Sequence, residues 1–403
     1  MGRGSAARSW DVFCRVVDNY GDAAVCWRLA RELVARGAGA VRLWIDAPEV
    51  LHSLCPAVDV QAARQQVEGV EILRWDDAAI GTAPWRGASA DIAVEGFGCG
   101  LPETYAEAMA VRRPKSLWIT LEYLSAEPWV ASHHGLPSPH PRLPLARYFF
   151  FPGFVAASGG LIREAGLDAR RDAFLADPQA RNLFWQARGF AAPAPDAFSV
   201  SLFGYENAGV NGLLNAWSVG TELVIAALPP GRLRPQVLAH FGRAAARDGD
   251  ALKRGSLEVR LVPFLPQSDY DELLWACDWN FVRGEDSFVR AQWAARPLVW
   301  HIYPQAGQAH RAKLDAFLDH WCAGLAAEPA AALRRLWHAW NGMDAALGCE
   351  DGVGCDAAWV ALAPHRPALA SHARKWKKEL DFARNLAEKL AQFCADRLES
   401  SAA

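Results

Sequence analysis

The first 120 residues alternate between short apolar runs and amphipathic helical stretches. Residues 10–17 read as a strand ending in a polar loop, and a helix with apolar residues at three- and four-residue spacing follows until Gly37. Residues 40–45, 91–94 and 116–120 are further predicted strands. Strands that alternate with helices are typical of a parallel sheet with crossover helices.

A second series of apolar runs begins near residue 198. Its predicted strands are residues 198–203, 222–226, 257–262, 279–282 and 297–301, with helical windows at 236–247 and 270–277. The pattern therefore predicts two α/β halves in tandem.

Two segments do not fit this alternation. Residues 128–152 contain six prolines among few helix formers, which predicts a long irregular surface excursion. Residues 373–398 carry apolar residues near helical spacing with Lys and Arg between them. That pattern predicts one long amphipathic helix near the end of the chain.

The length of 403 residues predicts two domains, because a single hydrophobic core stops growing at roughly 250 to 300 residues. We place one Rossmann-like domain at residues 10–155, with a C-terminal helix at 371–400 packing back on it, and a second at residues 156–370. Two doubly wound domains that face each other leave a cleft at the carboxyl ends of both sheets, where ligands bind. Polar residues directly after strands are therefore the candidates for a site.

Composition and charge narrow the classes of partner. The chain is 52% apolar and 22% charged, with a formal net charge of −3 and no long basic block. We therefore exclude nucleic acid and an anionic membrane as the main partner. The most apolar stretch, residues 148–154, is interrupted by Pro152 and Gly153, and no apolar run follows the charged start. We expect a cytoplasmic protein whose nine scattered cysteines are reduced.

The first candidate loop joins the first strand to the first helix and reads Asp18-Asn19-Tyr20-Gly21-Asp22. Its two carboxylates lie four residues apart in a turn, so both can point into the cleft. Aspartate is also favoured at a helix N-terminus, which is an alternative explanation of Asp22. A strand end has no such need, so capping does not explain Asp18.

The second candidate loop, Arg283-Gly284-Glu285-Asp286-Ser287, lies between an apolar strand and a predicted helix. Capping of the helix alone explains Asp286 or Ser287. It does not explain Gly284 and Glu285 directly after the strand. We interpret the amides of the helix N-terminus as a diphosphate site, with Glu285 on ribose hydroxyls or a reacting group.

A third polar segment follows another strand and combines aromatic side chains with an amide. Phe264 and Gln267 suit a nucleobase that is stacked and hydrogen-bonded at its edge. Core packing of Phe264 and capping by Ser268 or Asp269 are the alternatives. Tyr205 lies at the matching end of the first strand of the second half, where it can reach a phosphate.

The sequence lacks the motifs of the commonest nucleotide and metal sites. It contains neither Gly-x-Gly-x-x-Gly nor a P-loop, which argues against nicotinamide dinucleotides and P-loop ATP. The Asp-x-Asp triplets at 248–250 and 269–271 are explained by a polar turn and a first helical turn. His133, His134 and His140 have no carboxylate at fixed spacing. We therefore expect no metal and no cofactor.

These loops and their neighbours resemble one known family. Residues 18–22 (DNYGD), 26–31 (CWRLAR), 203–206 (FGYE) and above all 280–293 (NFVRGEDSFVRAQW) are similar to the bacterial protein-arginine rhamnosyltransferases that modify translation elongation factor P, known as EarP. The resemblance covers nearly the whole chain in order. It departs at residues 23–24, both alanine, where similar sequences often have a bulkier residue and a glycine.

The resemblance implies a metal-independent, inverting glycosyltransferase of the GT-B class, with two facing Rossmann-like domains. It implies transfer of L-rhamnose from dTDP-β-L-rhamnose to one arginine of elongation factor P. By motif, Asp18, Asp22 and Glu285 are the essential carboxylates. The residues expected to hold the donor are Asn19, Tyr20, Gly21, Tyr205, Phe264, Gln267, Arg283, Gly284, Asp286 and Ser287.

Two acids that face an arginine make chemical sense, because one can align the planar guanidinium while the other accepts its proton. We assign Asp22 as the base and Asp18 as the aligner, and these two roles are exchangeable. The helix terminus at residues 286–287 would stabilise the departing diphosphate. The alternatives are a GT-B enzyme with a small-molecule or lipid acceptor, an idle sugar-nucleotide-binding protein, and a structural partner of the translation machinery.

Overall fold

The structure, a computed structural model, describes residues 7–17, 20–75, 89–304, 309–343, 354–381 and 385–400. The strands are β1 Trp10–Cys14, β2 Val41–Ile45, β3 Arg64–Val67, β4 Val70–Arg74, β5 Ile92–Gly96, β6 Leu117–Leu121, β7 Pro137–Pro139, β8 Ala146–Phe150, β9 Phe198–Leu202, β10 Val224–Leu228, β11 Ala251–Arg254, β12 Leu257–Leu261, β13 Trp279–Arg283 and β14 Leu298–His301.

The helices alternate with these strands and then follow one another near the end of the chain. They are α1 Gly21–Ala35, α2 Pro48–Leu54, α3 Glu103–Val111, α4 Val130–His133, α5 Leu167–Ala176, α6 Pro178–Gln186, α7 Val210–Val219, α8 Arg234–His240, α9 Gln267–Ala276, α10 Asp286–Trp293, α11 Ala309–Trp321, α12 Ala327–Trp340, α13 Gly354–Leu362, α14 Arg366–Asp381 and α15 Leu386–Ser400. A 3-10 turn, Ala363–His365, joins α13 to α14.

The chain forms two compact units. Unit 1 spans Met1–Ala165 and Phe382–Ala403, and unit 2 spans Gly166–Asp381. Each unit is built on its own mainly parallel sheet with helices in its crossovers, so the predicted tandem α/β architecture is confirmed.

The sheet of unit 1 has the strand order β3-β4-β2-β1-β5-β6-β8-β7. The inner strands pair in parallel, whereas β3 and β7 pair antiparallel at the two edges. Strand β1 is buried along its whole length, as expected for a strand covered on both faces. Its acid, Asp11, is stabilised there by Arg42 at 2.5 and 2.6 Å and by the Tyr105 hydroxyl at 2.5 Å.

The sheet of unit 2 has the order β11-β12-β10-β9-β13-β14, in which only β11 pairs antiparallel among the described strands. Large aromatic side chains fill its core. The almost fully buried tryptophans of this unit are Trp185, Trp217, Trp279, Trp321, Trp337 and Trp340.

The proline-rich segment differs from its prediction. Instead of an irregular excursion, it supplies α4 and the antiparallel pair β7 and β8, and β8 joins the sheet beside β6. Pro137 and Pro139 lie in the edge strand β7. Proline has no N–H to donate to a ladder, so an outer edge is where a strand can contain it.

The first boundary between the units lies later than predicted, after residue 165 rather than 155. Glu164 pairs with the buried Arg28 of α1 at 2.5 Å, and the backbone N–H of Ala165 donates to Glu32 at 3.1 Å. These long-range contacts hold residues 156–165 on unit 1, and no local pattern in the sequence indicates them.

The predicted single C-terminal helix is two helices, α14 and α15, and they belong to different units. The side chain of Asn385 accepts from the N–H of Ala387 at 2.9 Å and so caps the start of α15. Lys377 of α14 pairs with Asp168 of α5 at 2.8 Å, which holds α14 on unit 2. Of the two helices, α15 therefore belongs to unit 1 and α14 to unit 2.

No helix within the described ranges combines the length and the hydrophobicity that crossing a membrane requires. The cysteines that the structure describes are free thiols.

Candidate active site

Each sheet has a topological switch point, where the chain winds away in opposite directions. In unit 1 it lies between β1 and β5, and in unit 2 between β9 and β13. Open α/β sheets bind ligands beyond the carboxyl ends of strands at such points. In unit 1 the loop after β1 follows a strand of the switch point. In unit 2 the same is true of Tyr205, which follows β9, and of residues 283–287 at the end of β13.

Asp22 lies in the first turn of α1 and is almost fully buried. It does not cap the helix, because Tyr20 is the N-cap residue and makes no side-chain bond there. Instead, Oδ2 of Asp22 accepts from the N–H of Val17 at 2.9 Å, while Asp46 accepts from Val16 at 3.0 Å. The two carboxylates thus hold the loop after β1 from either side.

Asp18 and Asn19 lie outside the described residues, so their roles stay predictions. Gly21 is the first residue of α1, and a Cβ placed on it would meet no atom of the described residues within 4 Å.

Thiols lie close to Asp22. A hydrogen bond with Cys26 and burial raise the pKa of the Cys14 thiol, and the nearby Asp22 raises it further. Burial raises the pKa of Cys99 to about 12. Both thiols are therefore neutral near pH 7, and neither is a ready nucleophile or base.

Two residues at the end of β5 share this switch point and were missed by the sequence reasoning. Glu95 is buried and accepts from the N–H of Gly100 at 2.9 Å and from Nε1 of Trp118 at 2.8 Å. Phe97 has a φ of 55° and stacks on Tyr123 with 4.7 Å between ring centres. A lone acid in an apolar strand was the available signal for Glu95, whereas the backbone of Phe97 left none.

Arg283 is the central charge of the switch point in unit 2. Its guanidinium carbon lies 4.5 Å from the ring centre of Phe203 and 4.7 Å from that of Tyr205. The residue is 8% exposed, its Nε is buried without a hydrogen-bond partner, and no carboxylate in the described part of the chain pairs with it. A buried cation in this state is costly unless an anion binds beside it.

The backbone next to Arg283 turns sharply. Gly284 has a φ of 65°, in the left-handed region, and a Cβ on it would lie 3.8 Å from the Tyr205 hydroxyl. Nε1 of Trp300 donates to the carbonyl of Gly284 at 2.9 Å and fixes the turn. This turn brings the tyrosine hydroxyl and the start of α10 to the same place.

Helix α10 begins at this turn, with Glu285 as its N-cap residue. Glu285 makes no side-chain bond to the helix amides, so capping does not explain its carboxylate. The hydroxyl of Ser287 accepts from the N–H of Arg283 at 3.2 Å and donates to its carbonyl oxygen. Asp286 lies in the first turn, where the positive end of the helix dipole favours an anion.

His301, at the end of β14, supports Tyr205 from behind. The backbone N–H of Tyr205 donates to Nδ1 of His301 at 3.2 Å, which assigns the ring proton to Nε2. Burial lowers the pKa of His301 to about 3, and the charges of Arg283 and His310 act in the same direction. The imidazole is therefore neutral near pH 7.

Phe264 and Gln267 follow β12 on the same edge of the sheet. Phe264 is half-buried, and the buried Gln267 begins α9. The buried pair of Asp271 in α9 and Arg290 in α10, with two contacts of 2.7 Å, joins the two helices. Of the predicted donor residues of unit 2, Tyr205 and residues 283–287 are thus brought together, and Phe264 and Gln267 follow a strand at the same edge of the sheet.

Aspartates of the two Asp-x-Asp triplets form ion pairs with arginines. Asp269 pairs with Arg188 at 2.8 Å, Asp271 with Arg290, and Asp248 with Arg234 at 2.5 Å. Across the described ranges no three His, Cys, Asp or Glu side chains are placed to hold a metal ion.

Comparison with known proteins gives one consistent result. The family model described as Elongation-Factor P (EF-P) rhamnosyltransferase EarP matches residues 10–395. The protein-arginine rhamnosyltransferase of Pseudomonas putida is 45% identical over 390 residues, covering 97% of this chain and 99% of the relative. That of Neisseria meningitidis serogroup B is 36% identical over 393 residues, with 95% of this chain and 96% of the relative covered.

A solved structure described as "Structural basis for EarP-mediated arginine glycosylation of translation elongation factor EF-P" is similar in fold. It is 35% identical, has a TM-score of 0.66, and covers 96% of this chain and 99% of its own. Together with the two parallel sheets, this agreement confirms the GT-B class expected from the sequence. The chain belongs to the EarP family of elongation factor P rhamnosyltransferases.

Proposed function

We propose that this protein transfers L-rhamnose from dTDP-β-L-rhamnose to a guanidino nitrogen of one arginine in translation elongation factor P, with inversion at the anomeric carbon. Family membership and the names of the relatives support this class of reaction. The observation that carries the proposal is the buried Arg283, which contacts two aromatic rings at a switch point, three residues before α10 begins. The proposed reaction takes place in the cytoplasm and needs no metal or cofactor.

The donor diphosphate would bind at Arg283. The guanidinium supplies a fixed cation, and the N-terminus of α10 adds the positive end of a dipole. The Tyr205 hydroxyl, which lies beside the turn at Gly284, is placed to donate to a phosphate oxygen. Charge that develops on the leaving diphosphate is thereby stabilised by groups already in position.

The nucleoside would extend from the diphosphate toward α9. Phe264 offers a face for stacking the thymine ring, and the amide of Gln267 can pair with its edge. Glu285, whose carboxylate does not cap α10, would accept hydrogen bonds from the sugar hydroxyls. Asp286 and Ser287 contribute through the backbone of the first turn, because the Ser287 hydroxyl is already bonded to Arg283.

The acceptor arginine would be read by Asp22 and Asp18. A ground-state aspartate cannot deprotonate a guanidinium, because their pKa values differ by roughly 9 units. Proton transfer must therefore accompany bond formation, since bonding to carbon acidifies the nitrogen. The carboxylate of Asp22 lies in the first turn of α1, where its Oδ2 accepts from the N–H of Val17, and it is the proposed base.

The proposed reaction is a single displacement at the anomeric carbon. The guanidino nitrogen forms a bond to the anomeric carbon, the bond from that carbon to the diphosphate oxygen breaks, and dTDP leaves with the electron pair. The proton of the attacking nitrogen passes to the carboxylate. Attack from the face opposite the leaving group inverts the configuration, so the rhamnosyl product is the α-anomer.

The test is incubation of this protein with dTDP-β-L-rhamnose and elongation factor P in EDTA, followed by intact mass measurement and NMR of the sugar linkage. A single added deoxyhexosyl group on one arginine, with inverted configuration, is expected. Turnover with donor but no modified elongation factor P would favour a small-molecule or lipid acceptor. A reaction that EDTA stops and magnesium restores would contradict the metal-independent chemistry.

A further inference from the structure

Unit 2 contains a second basic site, on the edge of its sheet opposite the donor residues. A cavity of about 420 Å³ is lined by side chains of α5, the end of α10, the segment before β14, and α14. Its charged lining residues are Arg171, Asp172, Arg296, Arg374, Lys377, Lys378 and Asp381. Five cations and two acids give this cavity an excess of three positive charges, in a chain whose net charge is −3.

The two acids are engaged by only two of the five cations. Asp172 binds Arg171 at 2.8 Å, and Asp381 binds Lys377 at 2.8 Å. Asp168 also binds Arg171 and Lys377, at 3.0 and 2.8 Å. These ion pairs give Arg171 and Lys377 a structural role, because they join α5 and α14 at the wall of the cavity.

The other three cations have no such explanation. No carboxylate pairs with Arg296, Arg374 or Lys378 in the part of the chain that the structure describes. Nε of Arg296 is buried without a hydrogen-bond partner. A partly buried guanidinium without a carboxylate partner and two further cations without one, all at one cavity, form an arrangement that an anion stabilises.

Electrostatics at Arg296 point the same way. Burial lowers the pKa of Arg296, and the charges of Arg181 and Arg374 add to the effect against the attraction of Asp278. The carboxylate of Asp278 is itself bound to the N–H and hydroxyl of Ser199, at 2.9 and 2.7 Å. The nearby acid therefore does not complete a pair with Arg296.

The cavity is separate from the donor residues. Arg296 precedes β14, at the amino end of the sheet, whereas Arg283 ends β13 at the carboxyl edge. Helix α10 runs between the two places, and its eight residues span roughly 12 Å at 1.5 Å per residue. A ligand in the cavity therefore does not overlap a diphosphate at Arg283.

We propose that this cavity binds a small phosphorylated anion, with Arg296, Arg374 and Lys378 as its ligands. The volume falls within the range of small-molecule sites, which is larger than a single phosphate needs. Guanidinium groups bind phosphate oxygens in bidentate fashion, and an ammonium adds a third contact. The ligand class is thus a diphosphate or a phosphorylated metabolite of similar charge.

The test is calorimetric titration of inorganic pyrophosphate in magnesium-free buffer, with dTDP present at saturation so that the donor residues are occupied. Wild-type protein should bind one pyrophosphate, and Arg374→Gln should weaken the Kd at least tenfold. Lys375→Gln is the matched control, because Lys375 lies on the same helix but pairs with Glu379 away from the cavity. This variant should bind as the wild type does.

Arg374 and Lys375 are both exposed, so neither replacement disturbs folding. Arg296→Gln should abolish pyrophosphate binding if the variant folds. Absence of a second binding event, or equal loss in Arg374→Gln and Lys375→Gln, would overturn the proposal. If dTDP fails to bind, the donor assignment fails instead, and the comparison of the two variants still reports on this cavity.

Discussion

Tyr205, in the loop after β9, and Arg283, the last residue of β13, meet at the switch point of unit 2, with the guanidinium carbon 4.7 Å from the tyrosine ring centre. The ring centre of Phe203 lies 4.5 Å from the same guanidinium carbon. Cation–π contacts of this kind stabilise a cation without neutralising its charge. The arrangement leaves Arg283 ready for an anionic ligand.

Replacing Arg283 by lysine should weaken dTDP binding by about tenfold to a hundredfold. An ammonium keeps the charge but loses the planar stacking and the bidentate contact, and hydrogen bonds to charged groups contribute roughly 1.5 to 3 kcal/mol. Calorimetry with dTDP measures the change. Arg366→Lys is the control, since Arg366 also lies over two rings, at 4.2 and 4.6 Å, but pairs with Glu222. Equal losses in both variants would show that general stacking, not ligand contact, is responsible.

Asp22→Asn should lower kcat by about 10² to 10⁴, the usual effect of losing a positioned base, while donor affinity is kept. Asparagine preserves the size of the side chain and an oxygen that can accept from Val17. Asp46→Asn is the matched control, because the Asp46 carboxylate accepts from the N–H of the adjacent Val16 in the same way.

Glu285→Gln should instead weaken binding of the donor. Unchanged donor affinity in Glu285→Gln beside a large loss in Asp22→Asn would reverse these two roles.

Gly284→Ala should weaken binding of the donor, because it strains the backbone of the turn. A Cβ has room there, since its nearest neighbour would be the Tyr205 hydroxyl at 3.8 Å, but a φ of 65° costs an L-residue roughly 1 to 2 kcal/mol. Gly342→Ala carries the same strain, at a φ of 66° with nothing within 4 Å. Thermal unfolding should show similar destabilisation in both variants. Calorimetry should show a loss of dTDP affinity only for Gly284→Ala. An unchanged dTDP affinity of Gly284→Ala would show that binding does not require the tight turn at this residue.

Stability should fall in mild acid because of His301. Its pKa of about 3 lies below the ordinary value near 6.5, so the unfolded chain binds a proton that the folded protein refuses. The contribution of the neutral imidazole to the free energy of unfolding is fully present above pH 6.5. It is lost at up to about 1.4 kcal/mol per pH unit as the pH falls toward 3. Between pH 6.5 and 5 the loss is about 2 kcal/mol.

Urea unfolding at both pH values, for the wild type and His301→Asn, isolates this effect from that of the carboxylates. Asparagine can accept from the N–H of Tyr205 but does not titrate. The free energy of unfolding of His301→Asn should therefore fall by about 2 kcal/mol less than that of the wild type between the two pH values. Identical pH dependence in the two proteins would mean that His301 is not held neutral.

The sequence predicted the parts of this fold that depend on local pattern. Buried parallel strands such as β1 and β13 are mainly apolar, and glycine or aspartate follows them in the chain. That pattern located both candidate loops, because position relative to a strand end is itself local information.

The errors concern features that depend on distant contacts. Residues 156–165 lie on unit 1 through Glu164 and Arg28, a pair that no periodicity indicates. The break between α14 and α15 depends on Asn385, whose side chain also reaches Glu32 at 3.1 Å. The aromatic pair over Arg283 likewise exists only once β9 and β13 are neighbours.

Replacing the acceptor arginine of elongation factor P by lysine should leave this enzyme nearly inactive, although the charge is kept. Under the proposed mechanism, Asp18 and Asp22 read a planar fork, and Asp22 is held in the first turn of α1 with one oxygen bonded to Val17. A tetrahedral ammonium on a more flexible stem can pair with one acid but loses the alignment that supplies several kcal/mol of a barrier.

A short arginine peptide should also react more slowly than the folded acceptor, because ordering a free chain costs about 1 to 2 kcal/mol per residue. Intact mass measurement over a time course compares native elongation factor P, its lysine variant and the peptide. Donor hydrolysis is followed in parallel, so that a loss of transfer is distinguished from a loss of donor binding. Comparable rates on all three acceptors would show that the carboxylates do not read the guanidinium, and a small-molecule acceptor would then explain the site better.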